Sequence, residues 1–344
     1  MNSSGMKYAF WNNKGGTGKT SLIFQAILAY AFEHSDKTVY VLDVCPQANL
    51  SELLLGGLVG GGSKNLLEIQ GRTPRSSIGG YFQLRLPQPY SPPNFRYQDY
   101  LVQPCKFNKH VTENVWLLPG DPMLELQATA VSTLANTQIP GSNAWLAIID
   151  WLRDFVNQIN DPDAIYFIDC NPSFSIYTQI ALSIADRLVA PVMADDSSCR
   201  ALQNAFSLVY GLRLPSPIYA EHSFATKLEK AKRVLPKFHL IVKNRLTQYM
   251  GPASAYAAVL NSIDEEIESL ICNKKDNIFT SKSLGEITVN IRDFQTTGVV
   301  AFAKGQPFRT LSTGRHNITG RRVQVKNDYR ENAIEAVNEL VSKL

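Results

Sequence analysis

Short apolar, β-branched runs alternate along this chain with longer stretches whose apolar residues recur at helical spacing. The short runs predict strands at Tyr8–Trp11, Thr38–Leu42, Val115–Leu118, Ala164–Ile168, Leu188–Val192 and Phe238–Val242. Between them the spacing predicts helices that include Ser21–Glu33, Pro122–Leu134, Ala144–Ile159, Ile176–Ala185, Arg200–Leu212 and Ala253–Ile271. Two or more of the strands lack polar alternation, as expected when both faces of a strand are buried. The alternation predicts an α/β fold, a mostly parallel twisted sheet with helices on both faces.

One region breaks the rhythm. Gly56–Ser63 reads GGLVGGGS, the composition of a flexible connector. Residues 72–104 then hold six of the 18 prolines, four arginines and one acidic side chain, Asp99. Tyr81, Phe82, Tyr90, Phe95, Tyr97 and Tyr100 are interleaved with them. Two readings stand: a functional or mobile loop, or an ordered surface insertion packing its own aromatics. The pattern is read as a single domain over residues 1–344, with a Pro/aromatic-rich insertion at 57–111.

Composition narrows the class. With 344 residues, 44% hydrophobic and 19% charged, the chain has the balance of a soluble globular protein. The longest apolar run, Ala26–Phe32, is about a third of a membrane span. The start, Met1–Phe10, lacks the basic flank and apolar stretch of a signal peptide. Five cysteines, Cys45, Cys105, Cys170, Cys199 and Cys272, form no C-x-x-C pair, which argues against a zinc site or disulfide framework and for a reducing cytoplasm. The net charge of +4 names no partner.

The sharpest chemical signal is Asn12-Asn13-Lys14-Gly15-Gly16-Thr17-Gly18-Lys19-Thr20, lying between a predicted strand and an apolar helix. Glycines there let backbone N–H groups turn inward around phosphates, and the following helix adds its positive N-terminal end. Lys19 is the candidate for the β/γ-phosphates and Thr20 for Mg²⁺. The loop departs from the general G-x-x-x-x-G-K-[ST] pattern: Asn13 stands where glycine is usual, and Lys14 adds a second cation.

Lys14–Thr20 resembles the deviant Walker A motif of the ParA/MinD family of P-loop ATPases. Val41–Ser51 (VLDVCPQANLS) is similar to that family's D-x-D-P-Q-x-N switch segment, Leu117–Gly120 to its next strand end, and Tyr166–Ser173 (YFIDCNPS) to its Walker B strand. Asp186–Val192 resembles the A-D-x-x-x-x-P-V segment, and Val299–Pro307 the adenine-side loop. The likeness covers about residues 7–55, 112–245 and 285–344, and its D-P-Q and D-x-x-P-S elements favour the ParA-like partition and positioning branch over MinD.

The resemblance implies a P-loop NTPase fold and an ATP- and Mg²⁺-dependent homodimer. Lys14, Gly15, Gly16, Thr17, Gly18, Lys19, Thr20 and Ser21 would form the cradle, with Lys14 reaching the partner's phosphates. Asn244 and Pro307 fall where the family contacts the base, although Asn244 reads equally as a turn residue. Asp43 and Asp169, with Thr20, would hold the metal shell; the bland reading of the two carboxylates is as buried structural groups. Catalysis would fall to Lys14, Asp43 and position 45, where relatives carry a water-positioning aspartate and this chain has Cys45. A thiol is a weak acceptor with little charge at neutral pH. Either turnover is slow or absent, or Asp43, Gln47 or a partner completes the site.

Two stretches are basic. Residues 226–245 include Lys227, Lys230, Lys232 and Arg233 with one acid, Glu229; residues 304–326 include Arg315, Arg321 and Arg322 with none. They read either as ordinary solvated faces or as phosphate-backbone contacts, and the resemblance implies nonspecific DNA binding by the ATP-bound dimer. A ParB-like activator or cargo adaptor is the partner this implies, with the nucleoid as the place. The C-terminal segment Asp328–Leu344 has an apolar face opposite Glu331, Glu335 and Glu339 and lacks the cations of a membrane-surface helix, so no membrane partner is expected. The competing functions are an ATP-gated regulatory adaptor with little hydrolysis and no DNA role, and an ATP-using amidation or ligation enzyme.

Overall fold

The structure is a computed structural model that describes residues 5–246, 255–272 and 278–344. The chain opens with β1 (Met6–Phe10), α1 (Lys19–Glu33), β2 (Val39–Val44), α2 (Asn49–Leu54), α3 (Gly62–Gln70) and α4 (Ile78–Arg85). It continues with β3 (Val115–Leu118), α5 (Met123–Asn136), α6 (Ala144–Ile149), α7 (Trp151–Ile159), β4 (Ile165–Cys170), α8 (Ile176–Ile184) and β5 (Arg187–Val192). Then come α9 (Asp196–Tyr210), α10 (Pro217–Glu221), α11 (Phe224–Lys230), β6 (Lys237–Leu246), α12 (Ala255–Cys272) and α13 (Leu284–Ile287). The last elements are β7 (Thr288–Arg292), α14 (Gln295–Ala303), β8 (Gly314–Ile318), β9 (Arg321–Val325) and α15 (Asn327–Ser342).

Among the described residues, seven strands form one parallel sheet in the order β3-β2-β4-β1-β5-β6-β7. Its central strands are buried on both faces, as their unbroken apolar runs require. In β2, Val39 and Val41 enter the core beneath α1, α2, α14 and α15, while Tyr40, Leu42 and Val44 enter the core beneath α4 to α9. β4 repeats this with Ile165 and Phe167 on the first side and Tyr166, Ile168 and Cys170 on the second. All β1 to β6 carboxyl ends therefore point the same way, which is where an open α/β sheet collects its ligand-binding loops.

The six predicted strands all form, and three further strands were missed. β7 is an edge strand of five residues with only Val289 and Ile291 buried, too short a period for its alternation to stand out. β8 and β9 form a hairpin around Thr319 and Gly320, both at positive φ (48° and 83°), the conformation a two-residue turn selects. The helix predicted over Ala144–Ile159 is two helices, broken at Asp150. Of the helix predicted over Ala253–Ile271, Ala253 and Ser254 lie outside the described residues, and α12 carries the remainder.

The flexible-connector reading of Gly56–Ser63 is corrected. Gly57 (φ 60°) is packed so tightly that a Cβ would lie 2.5 Å from the Phe302 carbonyl oxygen, and one on Gly60 would lie 2.5 Å from the Gly56 oxygen. Val59 N–H donates to Ala303 O at 2.7 Å. These glycines permit close backbone approach between the end of α2 and the end of α14. Residues 72–104 are likewise ordered. Tyr81, Phe82 and Tyr100 are buried in the main core against Phe155, Trp151 and Tyr177, and Val102 bridges Leu117 of β3. The aromatics serve the shared core beside β3 rather than a core of their own.

Candidate nucleotide-binding site

The glycine loop joins β1 to α1 at the carboxyl end of the sheet. Gly16 (φ 77°) and Gly18 (φ 80°) occupy the left-handed region that side-chain-bearing residues avoid. Gly18 caps α1 without any side-chain hydrogen bond, which leaves the first-turn N–H groups for an anion. A Cβ on Gly15 or Gly16 would meet nothing within 4 Å, so the outer side of the loop is open. On the inner side the reverse holds: a Cβ on Gly18 would lie 2.3 Å from Asn244 Nδ2. Asn244 is buried in β6, not in a turn, and donates to Thr17 O at 2.8 Å. It braces the loop. Ser21 lies in the first turn of α1.

The leading end of the loop is tied to the β5–α9 junction. Asn12 Nδ2 donates to Pro191 O at 2.5 Å, and Lys14 N–H donates to Asn12 Oδ1 at 3.1 Å. Lys14 Nζ reaches both oxygens of Asp195 (2.7 and 2.5 Å) and Ser198 Oγ (3.3 Å). Burial would raise the Asp195 carboxyl, but Lys14, Ser197 and Ser198 together hold it well below the usual carboxylate range.

Asp43 and Asp169 stand side by side at the ends of β2 and β4, in register with each other. Asp169 forms a buried ion pair with Lys19, and Thr20 Oγ1 lies 3.5 Å from its other oxygen. Burial alone would lower Lys19; the adjoining Asp169 outweighs it and keeps the ammonium charged. Asp43 accepts from Ser51 N (3.0 Å), Ser51 Oγ (2.7 Å) and Cys45 N (3.2 Å). Burial, and then the Asp169 charge, push Asp43 well above the ordinary carboxylate range. The same two causes, with Asp43 itself, raise the Cys45 thiol to about 12, so it is neutral at physiological pH. A threonine hydroxyl and two carboxylates are hard oxygen donors of the kind Mg²⁺ takes, and this part of the site fits such an ion.

Pro307 is buried beside α1 rather than at the loop. The Gln25 side chain holds that segment at both ends, donating to Gln306 O (3.2 Å) and accepting from Phe308 N–H (3.0 Å). Residues 306–308 are thereby fixed to the helix that starts at the phosphate loop.

The two basic stretches are distributed differently. Lys227 of α11 lies over the Trp145 ring (5.3 Å), Arg233 pairs with Asp150 (2.5 Å), and Lys243 is buried against Asp264 (2.6 Å). Lys230 is exposed at the end of α11, whereas Lys232 and Arg233 line a cleft of about 500 Å³ at the amino ends of β1, β5 and β6, opposite the phosphate loop. The first stretch is thus divided among several surroundings. In the hairpin, by contrast, Arg315 opposes Gln324 and Arg322 opposes Asn317, and these four share its solvent face. Arg321 is exposed at the turn, and none of the three arginines makes an ion pair among the described residues.

Asp195 and Ser198 were not singled out from sequence, and neither Asn12 of the loop motif nor Arg245 of the first basic stretch was given a role of its own there. Asp195 carries a signal as a helix cap, since its side chain accepts from Ser198 N–H at 2.8 Å. Arg245, at positive φ (58°), lies 3.7 Å from a Gly18 Cβ position; nothing local in the sequence brings it there.

Residues 6–213 match the family described as an AAA domain. No curated protein matches the sequence. Among solved structures the chain is similar to a Cyanothece McdA–ATP complex, at 14% identity, TM-score 0.60, covering 99% of this chain and 97% of that one. It is similar to a putative plasmid partition protein of Borrelia burgdorferi bound to AMPPNP (14%, 0.55, 99% and 100%). It is also similar to pNOB8 ParA bound to nonspecific DNA (16%, 0.51, 85% and 86%). The shared architecture is the ParA-like P-loop fold.

Proposed function

The chain belongs to the AAA domain family, and from that premise we propose that it is an ATP-dependent dimeric switch of ParA type. In this reading the ATP-bound dimer holds nonspecific DNA and serves DNA segregation or cargo positioning. The observation that carries it is the glycine loop: open at Gly15 and Gly16, braced by Asn244, and flanked by Lys14 and Lys19. Similar folds hold ATP, AMPPNP and nonspecific DNA in their own complexes, which supports the same ligands here.

Thr20, Asp169 and Asp43 are the residues that would hold Mg²⁺, which when bound neutralises phosphate charge. Lys19 supplies a fixed cation to the phosphates, and Lys14 reaches those of a second copy. Asp43 orients the switch segment through Ser51 and the Cys45 backbone. DNA contact falls to Arg315 and Arg322, with Arg321 beside them. The other basic group, Lys227, Lys230, Lys232 and Arg233, is a lesser contribution because two of the four already have partners. A ParB-like activator or cargo adaptor would reset the dimer.

A neutral thiol at Cys45 favours slow turnover, because it cannot accept a proton from the attacking water. The competing reading is an ATP-gated adaptor with no DNA role. Retention on nonspecific duplex with ATP and Mg²⁺, followed alongside single-turnover hydrolysis, separates the two. The expected result is ATP-dependent retention on DNA, lost in Lys19→Ala and in Arg315→Glu/Arg322→Glu, with slow turnover that Cys45→Asp accelerates. Retention that ignores ATP, or none at all, would move the assignment to the adaptor.

A further inference from the structure

The two lysines of the loop are held in different ways. Lys19 is buried, and its partner Asp169 is 1% exposed, so separating them strands a charge. Lys14 and Asp195 are 24% and 39% exposed, and that pair can open into water. Its partners are nonetheless specific: both oxygens of one carboxylate and the Ser198 hydroxyl, in the first turn of α9. The same carboxylate accepts from Ser198 N–H, and Ser198 Oγ accepts from Met193 N–H at 3.1 Å. The Lys14 ammonium is therefore docked on a preformed helix cap.

We propose that Asp195 is the positioning residue for Lys14: with Ser198 it parks the ammonium on α9 in the nucleotide-free chain, and nucleotide phosphates draw it off. The release half rests on the reading that this loop takes nucleotide phosphates and that Lys14 reaches those held by a second copy. Departure of Lys14 leaves Asp195 at the amino end of a 15-residue helix, where the backbone dipole and the Ser198 N–H still favour its negative charge. The contact is thereby reversible, as a switch requires. A phosphate cluster offers Lys14 several anionic oxygens against the two of Asp195, so nucleotide wins the competition.

The movement does not end at the loop. α9 packs on α11 and α12, with Gln203 Nε2 3.4 Å from Glu266 Oε2 of α12 and Arg213 paired to Glu266 at 2.7 Å. Release of Lys14 would act on the first turn of α9, and the α9–α12 contacts are the route by which it would reach α12. Phosphate loading would thus be felt on the β6 side of the sheet.

The test compares Asp195→Asn, Lys14→Met and the double variant with the native chain. Asparagine keeps the helix cap and removes the charge, so the fold is retained. Without nucleotide, the urea midpoints of the two single variants are expected to be non-additive; additive shifts overturn the parking of Lys14 on Asp195. With ATP and Mg²⁺, Asp195→Asn is expected to bind about two- to fivefold more tightly than the native chain, the range of a half-exposed ion pair. Hydrogen exchange at residues 196–201 should change on ATP addition in the native chain and not in Asp195→Asn. An ATP-induced change that persists in the variant overturns the coupling. A native chain that takes up no ATP overturns the nucleotide reading and the release with it, while the nucleotide-free cycle still decides the parking.

Discussion

Lys19 and Asp169 form an ion pair inside the carboxyl end of the sheet, with Asp43 as the neighbouring carboxylate in register. One ammonium therefore offsets two buried acids. Asp169→Asn leaves that ammonium without its main counter-charge and should cost about 3–5 kcal/mol in urea unfolding. Lys19→Met should be milder, because Asp43, already raised by burial and then by the Asp169 charge, can take up a proton and become neutral. Equal urea midpoints for Asp169→Asn and the native chain would show that the pair does not support the fold.

Asn244 brings β6 against Gly18 of the phosphate loop, where a Cβ would meet the Asn244 amide and also require a strained positive φ (80°). Gly18→Ala is expected to displace the loop and abolish nucleotide binding. Asn244→Ala removes the donor to Thr17 O, at about 1–3 kcal/mol for the buried carbonyl it leaves unpaired. Isothermal titration with ATP, beside thermal melts, distinguishes the two effects. Native affinity in Gly18→Ala would contradict the brace.

Gly57 fits against the Phe302–Gly305 backbone only because it has no side chain. Gly57→Ala combines a positive φ with a backbone clash, so destabilisation well beyond the ordinary 1 kcal/mol of a surface glycine change is expected. Gly61→Ala is the control, since it shares the positive φ (73°) but has open space around it. Similar melting temperatures for the two variants would argue for the flexible-connector reading.

Tyr81 belongs to the insertion by sequence and to the core by position. It is fully buried, donates to Trp151 O at 2.6 Å, and packs edge-on to Phe155. Tyr81→Ala should cost about 3–5 kcal/mol, the range for a buried aromatic. Chemical denaturation measures it. A loss under 1 kcal/mol would mean that residues 72–104 fold apart from the sheet.

His239 links β6 to the end of α15. Its Nε2 lies 2.6 Å from Lys343 O and its Nδ1 3.0 Å from Thr280 Oγ1. Burial lowers its pKa below the ordinary 6.5. The unfolded chain then binds the proton more readily than the native one, so this contribution to stability is present above pH 6.5 and is lost as pH falls through the window beneath it. His239→Gln should flatten that part of the stability–pH curve, as followed by denaturant midpoints between about pH 7 and 5. An unchanged slope would rule out His239 as its source.

Much of this protein is decided locally and was legible in its sequence. Apolar runs without polar alternation specify strands buried on both faces, and K-G-G-T-G-K-T between such a strand and an apolar helix specifies a phosphate loop, because only glycine tolerates φ near 80° at Gly16 and Gly18. The thiol at Cys45 was equally visible as chemistry, whereas its shift to about 12 required knowing that Asp43 and Asp169 lie beside it. What tertiary structure alone decided are relations across long sequence separations. Lys14 meets Asp195, Gly18 meets Asn244, and Gly57 meets Phe302, each pair brought together by strand order and not by any local periodicity. Composition misled at GGLVGGGS for the same reason: glycine signals freedom when its surroundings are empty and close packing when they are full, and only the folded neighbours distinguish the two. The basic residues followed that rule as well. A count of lysines and arginines records charge, but burial, the Trp145 ring, Asp150 and Asp264 decide which cations remain on offer to a partner.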